Sequence, residues 1–281
     1  MTQKKDDEFT SWIGTTQTSV DQITRSPLSL LAATLDREEG ACLQVPWSWF
    51  YFLPNTPTEE LGVDGHPSRQ GFLPPITLPR RMWAGSRIET TAIVPRVGDS
   101  IRRISTIRSI ERKRGGSGDL IFLGLEHQIT SDAGLLLREQ QDLVYRDAPV
   151  PGAVLAPGKV ARTDAKWSRE VVPTSALLMR FSALTFNAHR IHYDFNYATQ
   201  EEGYPGLVVH GPLIATLLLD LVYRHLPDIR VKQFTFRAVR PLFATAPFKV
   251  CANLTPRLNQ IDLWACDSEG FVTTEASLAY Q

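Results

Sequence analysis

The sequence has few cysteines, no excess charge of either sign and no long hydrophobic run. Its 281 residues carry 30 basic and 30 acidic side chains, which cancel to a net charge of zero. Affinity for nucleic acids and membrane surfaces rests on excess Lys and Arg, so neither partner is expected. The longest mainly apolar run, 212–219, is far shorter than the ~20 residues that span a bilayer, and residues 1–7 lack the apolar core of an export signal. We therefore expect a cytoplasmic protein.

Cysteines and nucleotide-binding motifs are equally sparse. Cys42, Cys251 and Cys266 are widely spaced and form no CxxC pair. This pattern predicts neither a disulfide framework nor a zinc knuckle, so buried free thiols are expected. No GxGxxG or P-loop string occurs, so the chain carries no signature of a nucleotide cofactor.

The first part of the chain is predicted to form a helix followed by an antiparallel sheet. Residues 27–35 are rich in Leu and Ala and carry Pro in the first turn, which favours a helix. The Pro- and aromatic-rich stretch 45–83 is predicted to be an ordered loop whose aromatics pack on the sheet or, less favoured, form a lid over a ligand. Alternating hydrophobicity predicts four strands, with a hairpin at 115–118, over 87–94, 100–112, 120–130 and 135–145.

The second part repeats that order after a Pro-rich stretch, 147–164, that is predicted to be a linker. Residues 177–181 are predicted to form a short strand, and 194–202 and 213–225 to form helices. Further strands are predicted over 231–239, 248–254, 260–266 and 271–278. The repeated order predicts an α+β protein of two domains, 1–150 and 151–281.

Polar side chains suited to chemistry are concentrated in the string FSALTFNAHRIHYD, residues 181–194, and in the His-Gly pair that follows it. His189 and His192 lie three residues apart, and a His side chain accepts or returns a proton near neutral pH. The amide of Asn187 is able to hold a water molecule. The backbone NH of Gly211, at the start of a predicted helix, is a suitable donor to an oxyanion.

Several separated strings resemble one family. TFNAHRIHYD, YPGLVVHGPL and FRAVRPLF resemble the MaoC-like hot-dog proteins, which hydrate or dehydrate acyl thioesters. GVDGHPSRQGFLPPITLPRRMWAG and EHQITSDAGLLLREQQDLVYR resemble the double hot-dog subfamily of mesaconyl-C4-CoA hydratase, itaconyl-CoA hydratase and 3-hydroxyacyl-thioester dehydratase. The resemblance implies a double hot-dog fold, with two antiparallel sheets each wrapped on a central helix and the active-site string in the second repeat. It also implies reversible hydration of an enoyl-CoA, with a branched C5 dicarboxylic acyl group as the favoured substrate.

The resemblance also implies roles for individual residues. The family motif Asp-x-Asn-Pro-x-His keeps its final His as His192, but Asn187 stands where the motif has Asp and cannot take a proton. His192 is therefore expected to act on water that Asn187 orients, with Asp194 or His189 assisting, while the Gly211 NH binds the thioester carbonyl. No cofactor is implied beyond the coenzyme A of the substrate.

Substrate binding is assigned to His210 and to four arginines. Arg237 and Arg240 are candidates for the coenzyme A phosphates, and Arg80 and Arg81 for a free carboxylate of the acyl group. A zinc site formed by His189, His192 and His210 is a less favoured alternative, because no carboxylate or Cys has convincing spacing. Rival functions are a dehydratase of longer 3-hydroxyacyl thioesters and a non-catalytic thioester-binding module. Either a monomer of two fused repeats or a homodimer is expected.

Overall fold

One antiparallel sheet of ten strands organises the molecule. The structure, a computed structural model, describes residues 9–38, 43–67, 71–115, 118–148 and 157–281. The strands are β1 Thr16–Gln22, β2 Arg80–Thr90, β3 Ser100–Gly115, β4 Gly118–Ser131, β5 Gly134–Arg146, β6 Trp167–Val171, β7 Val231–Ala238, β8 Phe248–Leu254, β9 Gln260–Cys266 and β10 Val272–Tyr280. The α-helices are α1 Arg25–Thr34, α2 Ser175–Leu184 and α3 Gly211–His225. Short 3-10 helices cover Thr10–Trp12, Trp47–Phe50, Thr58–Glu60 and Arg190–His192, and a π-helical turn covers Tyr197–Glu201.

The order of strands repeats within the sheet. The full order is β1-β3-β4-β5-β2-β7-β10-β9-β8-β6. The first five strands, called here the first half, therefore run first-third-fourth-fifth-second, and the second half, β6 to β10, shows the same order when read from the opposite edge. The halves join where β2 pairs antiparallel with β7. Gly85 is required at this seam, because a Cβ there would overlap the carbonyl of Phe236.

The helices cover the two halves unequally. In the second half, α2 and α3 lie between β6 and β7, and nearly all of α3 after its first turn is buried against the sheet. In the first half, the described residues between β1 and β2 contain α1 and two 3-10 helices, Trp47–Phe50 and Thr58–Glu60. Trp47, Trp49 and Phe50 are buried, so the aromatic segment is packed as predicted. Its indole rings help to fill the space that a long helix fills in the second half.

Buried ion pairs link the helices to the sheet. Asp220 lies in the middle of α3 with only 2% of its surface exposed. Its carboxylate oxygens contact Arg169 of β6 at 2.8 Å, Arg224 at 2.9 Å and Arg37 at 3.6 Å. A buried carboxylate is tolerated only where such partners surround it. This network fixes α3 to the edge strand and to the segment that follows α1.

Most predicted elements are confirmed, with three corrections. Residues 177–181 are not a strand; they lie in α2, which begins after Thr174, whose Oγ1 accepts from the NH of Leu177 at 3.1 Å. The edge strands β1 and β6 were not predicted, and β2 begins at Arg80, seven residues before the predicted start at 87. Of the predicted linker, 149–156 lies outside the described residues, and Val160 forms a bridge with Phe271. The hairpin is confirmed by the pairing of Gly115 with Gly118.

The structure also bears on the predictions about free thiols and membrane-spanning segments. Cys251 and Cys266 are buried and free, as expected, whereas Cys42 lies outside the described residues. Within the described ranges, no helix is both long enough and apolar enough to span a bilayer.

Candidate active site

A tight loop after α2 presents the predicted catalytic residues. The backbone reverses at Phe186, whose φ is +47°, and the NH of Asn187 donates to the carbonyl of Ser182 at 2.8 Å. The side-chain Oδ1 of Asn187 then accepts from the NH of His189 at 3.0 Å. Asn187 therefore braces the loop with its carbonyl oxygen, while its NH2 group and the second lone pair of that oxygen are able to contact a water molecule.

His192 is held as a proton acceptor. It ends the short 3-10 helix and is buried, and its Nδ1 lies 2.7 Å from the carbonyl oxygen of Val208. Because a carbonyl only accepts, Nδ1 carries the proton and Nε2 of the neutral ring keeps its lone pair. Burial lowers the pKa of His192 to about 4, although the bond to Val208 opposes that effect. The ring is thus neutral at pH 7 and able to take a proton from water.

His210 supports His192 from the start of α3. The two rings stack with centroids 3.6 Å apart and planes at 19°. The Nε2 of His210 lies 2.8 Å from Ser182 Oγ, and the whole side chain is buried. Burial lowers the pKa of His210 well below its ordinary value, and the charges of His192 and His189 add to that effect. The neutral ring of His210 therefore packs against His192 and fixes the plane of its ring.

Gly211 provides a backbone donor beside this pair. It is the first residue of α3, so its NH has no partner within the helix and lies at the positive end of the helix dipole. A Cβ at this position would meet the carbonyl oxygen of Trp83 at 3.7 Å, an ordinary contact. Gly211 is only partly buried. A carbonyl oxygen is therefore able to approach this NH, and the predicted role of Gly211 as a donor to the thioester stays a prediction.

A loop of the first half completes the cluster, and it was not predicted. In the segment 61–67, Asp64 Oδ2 lies 3.0 Å from His66 Nδ1, and the His66 ring lies 3.9 Å from the ring of His189. His189 in turn lies 5.4 Å from His192 between ring centroids. Burial, and then the charges of His66 and His192, lower the pKa of His189 to about 2, so its ring is neutral. Four histidines from both halves of the sheet therefore form a set of neighbouring rings, called here the histidine row: His66, His189, His192 and His210.

This loop and the active-site loop together hold the donor atoms best placed for a cation. Atoms of Asp64, His66 and His189 all lie within 4.8 Å of one another, and no other such group of three occurs in the described ranges. Both carboxylate oxygens of Asp64 already accept from His66, one from its NH at 3.0 Å and one from its ring. Although burial raises it, these hydrogen bonds hold the pKa of Asp64 well below its usual range. The geometry is that of a carboxylate–histidine pair.

The two arginines that open β2 have different environments. Arg80 donates to the hydroxyl of Tyr204 at 2.7 Å and pairs with the carboxylate of Glu202 at 2.6 Å. Arg81 lies on the opposite face of the strand, is half-buried and has no hydrogen bond or ion pair with any described residue. Its charge is close enough to lower the pKa of His189, after the larger effects of burial and the two other histidines. Arg81 therefore places a positive charge near His189, and no described residue supplies a counter-ion for it.

Comparisons with known proteins identify the family of this chain. Residues 46–244 match the family model described as hydroxyacyl-thioester dehydratase type 2. The chain belongs to the hydroxyacyl-thioester dehydratase type 2 family. It is 45% identical over 96% of its length to the mesaconyl-C(4)-CoA hydratase of Chloroflexus aurantiacus, covering 97% of that protein. It is 27% identical to the mitochondrial hydroxyacyl-thioester dehydratase type 2 of Schizosaccharomyces pombe, over 85% of this chain and 90% of that one.

Solved structures identify the fold. A MaoC-like dehydratase from Phytophthora capsici superposes with a TM-score of 0.68 at 12% identity, over 95% of each chain. A second MaoC-like dehydratase gives a TM-score of 0.67 over 96% of this chain and 98% of that one. The predicted α+β double hot-dog is confirmed, with the unequal helices noted above.

Three residues predicted for the site of this family member lie elsewhere or are engaged. Asp194 accepts from the Arg190 guanidinium at 2.7 and 3.0 Å and from the NH of Tyr197, so it fixes the following turn and is not turned toward His192. Arg237 is 69% exposed and pairs with Glu275 at 3.0 Å. Arg240 is mostly buried, lies 3.8 Å from Asp267 and covers the ring of Phe271.

The sequence contained one indication of the Asp64–His66 pair, which was not predicted. Asp64 and His66 lie inside GVDGHP, a string on which the family resemblance rests, but nothing in that string assigned them a role. Their relation to the site depends on contacts between the halves. The NH of Arg190 donates to the carbonyl of Asp64 at 2.9 Å, and Gly65, with φ of +85°, lies so close to Ala188 that a Cβ would overlap the Ala188 carbonyl.

Proposed function

We propose that this protein is a hydro-lyase that adds water reversibly to an enoyl-CoA whose acyl group is a branched C5 dicarboxylate, such as mesaconyl-C4-CoA. The observation that carries the proposal is 45% identity, over 96% of the chain, to a protein named for that reaction. No cofactor is needed beyond the coenzyme A of the substrate. In this proposal the chain divides near 149–156 into the two repeats, 1–150 and 151–281.

The histidine geometry supports this reaction. Water bound at His192 Nε2 loses a proton to it as the water oxygen attacks the β-carbon, while the electrons of the double bond move toward the thioester oxygen. The NH of Gly211 stabilises that oxygen, and the NH2 group of Asn187 holds the water. The neutral state of His192 suits the step, because only the neutral ring accepts a proton.

The charge of Arg81 supports the dicarboxylic substrate. In mesaconyl-C4-CoA the free carboxylate is bonded to the β-carbon, so it must lie beside the atom that the water attacks. Arg81 is a half-buried cation near His189 that pairs with no described residue, and its guanidinium matches a carboxylate in a bidentate pair. Arg80 is occupied by Glu202 and Tyr204, so we assign it to the structure and Arg81 to the substrate.

A panel of acyl-CoAs tests the proposal. Loss of the conjugated enoyl absorbance is followed with mesaconyl-C4-CoA, crotonyl-CoA and a long-chain 2-enoyl-CoA. The highest kcat/KM is expected for mesaconyl-C4-CoA; preference for the long chain would favour the dehydratase of longer thioesters, and no turnover of any substrate would favour a binding module.

A pair of histidine variants tests the assignment of the site. His192→Ala should lose ~10²- to 10⁴-fold in kcat while the chain still folds, because it removes the acceptor of the water proton. His225→Ala is the matched control, since His225 is exposed at the end of α3 and stacks on Trp167. Equal activity of the two variants would show that His192 has no part in the reaction.

A further inference from the structure

Hydration takes a proton from water and delivers a proton to the α-carbon, and a site with a second acid–base group divides these two tasks. His192 fills the first role. Asn187, at the position of the family's Asp, cannot fill the second, because a carboxamide is neither a general acid nor a general base near neutral pH, and its Oδ1 accepts from the NH of His189. Asp194 is held by Arg190 and Tyr197, away from the site. The second role is therefore unassigned among the residues of the active-site loop.

We propose that Asp64 and His66, from the first half, form the second acid–base group of the site. This inference rests on the proposed hydratase function. Asp64 Oδ2 lies 3.0 Å from His66 Nδ1. The His66 ring lies 3.9 Å from the ring of His189, and His189 is itself the neighbour of His192 in the histidine row. A carboxylate bonded to one ring nitrogen stabilises the imidazolium form, which carries a transferable proton on the other nitrogen.

The loop that carries the pair is built against the active-site loop. Arg190 bonds it twice, from its backbone NH to the carbonyl of Asp64 at 2.9 Å and from its guanidinium to the carbonyl of Val63 at 3.0 Å. Gly65 allows the two backbones to touch at Ala188. These contacts hold the pair in place relative to His189, which is what an acid–base group requires.

The proposed step balances. In hydration, the water oxygen bonds to the β-carbon and one water proton passes to His192. The electron pair of the double bond, held transiently as the enolate, forms a bond from the α-carbon to the proton of the His66 imidazolium. Neutral His66 then regains a proton from solvent, and His192 returns one. Dehydration is the reverse, with His66 taking the α-proton.

The charged surroundings determine the expected pH dependence. The titratable groups near His66 include Asp64 on its own loop, His189 and His192 on the active-site loop, and Tyr197, whose pKa the charge of Asp64 helps to raise. Arg81 acts on the same row from β2. Among these, Asp64 is the negative charge that favours protonated His66, so its removal should make His66 lose its proton at lower pH.

The full chain is assayed as wild type, His66→Gln, Asp64→Asn and the surface control His225→Gln, on the best substrate of the acyl-CoA panel. His66→Gln is expected to lower kcat ~10²- to 10⁴-fold while KM stays within ~3-fold. In Asp64→Asn the alkaline limb of kcat/KM for hydration should move to lower pH, a change that a purely structural role would not produce. His225→Gln should match the wild type.

Several results would overturn the pair. A His66→Gln variant with wild-type kcat would do so. An Asp64→Asn variant with the pH profile of the wild type would also do so, and this profile decides the question if His66→Gln does not fold. Loss of wild-type activity on chelation, restored by Zn²⁺, would show that Asp64, His66 and His189 bind a cation instead. An inactive wild type overturns both the hydratase function and the pair, whereas an active wild type with an active His66→Gln overturns the pair alone.

Discussion

Replacing Arg81 by Met should abolish the preference for a dicarboxylic substrate without abolishing hydration. Arg81 is half-buried, and no described residue compensates its charge. A hydrogen-bonded charge of this kind contributes about 1.5–3 kcal/mol, and we take ~2–3 kcal/mol because the guanidinium pairs in two places. At ~1.4 kcal/mol per factor of ten, kcat/KM for mesaconyl-C4-CoA should fall ~30- to 150-fold.

The measurement compares two substrates that differ in one group. Isocrotonyl-CoA, the (Z)-isomer of crotonyl-CoA, is mesaconyl-C4-CoA without its carboxylate, so its kcat/KM should change less than ~3-fold in Arg81→Met. Arg81→Lys keeps the charge but loses the planar fork, and an intermediate loss, on the order of tenfold, is expected for the dicarboxylic substrate. Arg87→Met is the matched control, because Arg87 lies on the same strand but is exposed and bonds Gln140.

Two results would refute this reasoning. An equal loss on both substrates would mean that Arg81 supports the site rather than the carboxylate. No loss on either would mean that the carboxylate lies elsewhere, and Arg240 would then be the next cation to replace.

Three further predictions concern stability and loop packing. Asp220→Ala should lower the free energy of unfolding by about 2–3 kcal/mol in denaturant titrations, because the partly buried Arg37 and Arg169 lose their anion, whereas Asp164→Ala at the surface should leave the midpoint unchanged. Gly65→Ala should reduce kcat far more than Gly71→Ala, since both have positive φ but only a Cβ at Gly65 meets the active-site loop; equal kcat values would contradict this. Burial lowers the pKa of His127 to about 4, so between pH 6.5 and 4 the unfolded chain binds more protons and stability falls as the pH falls. His127→Gln should therefore remove about 2 kcal/mol of the loss between pH 6.5 and pH 5, and an unchanged slope would refute the assignment.

Periodicity predicted the strands that alternate between a buried and an exposed face. Strands β8 and β9 have the predicted bounds, since their apolar residues are packed under α3 or in the adjoining core. Strand β1 was missed because six of its seven residues are exposed, so no alternation marks it. The run 177–181 was misassigned because a short apolar run does not distinguish a strand from a helix, and the cap at Thr174 decided the outcome.

The candidate site was predictable only where it is contiguous in sequence. His189, His192, His210 and Gly211 lie within one stretch and were named from it. Asp64 and His66 meet that stretch only through packing between the halves, which no local pattern encodes. Arg80 and Arg81 were proposed together, because a sequence cannot show that Glu202 and Tyr204 occupy the first and leave the second uncompensated.

The unequal halves explain why the proposed site draws on both. In the second half, α3 covers the sheet and places Gly211 beside Trp83 of β2. In the first half, the described residues before β2 form no such helix, and the segment 61–67 instead crosses to the active-site loop. Because β2 and β7 pair at the centre of the sheet, the halves that carry Arg81 and His192 share one continuous sheet. In the proposed function, this loss of symmetry lets the segment 61–67 and Arg81 of the first half lie beside the active-site loop of the second half.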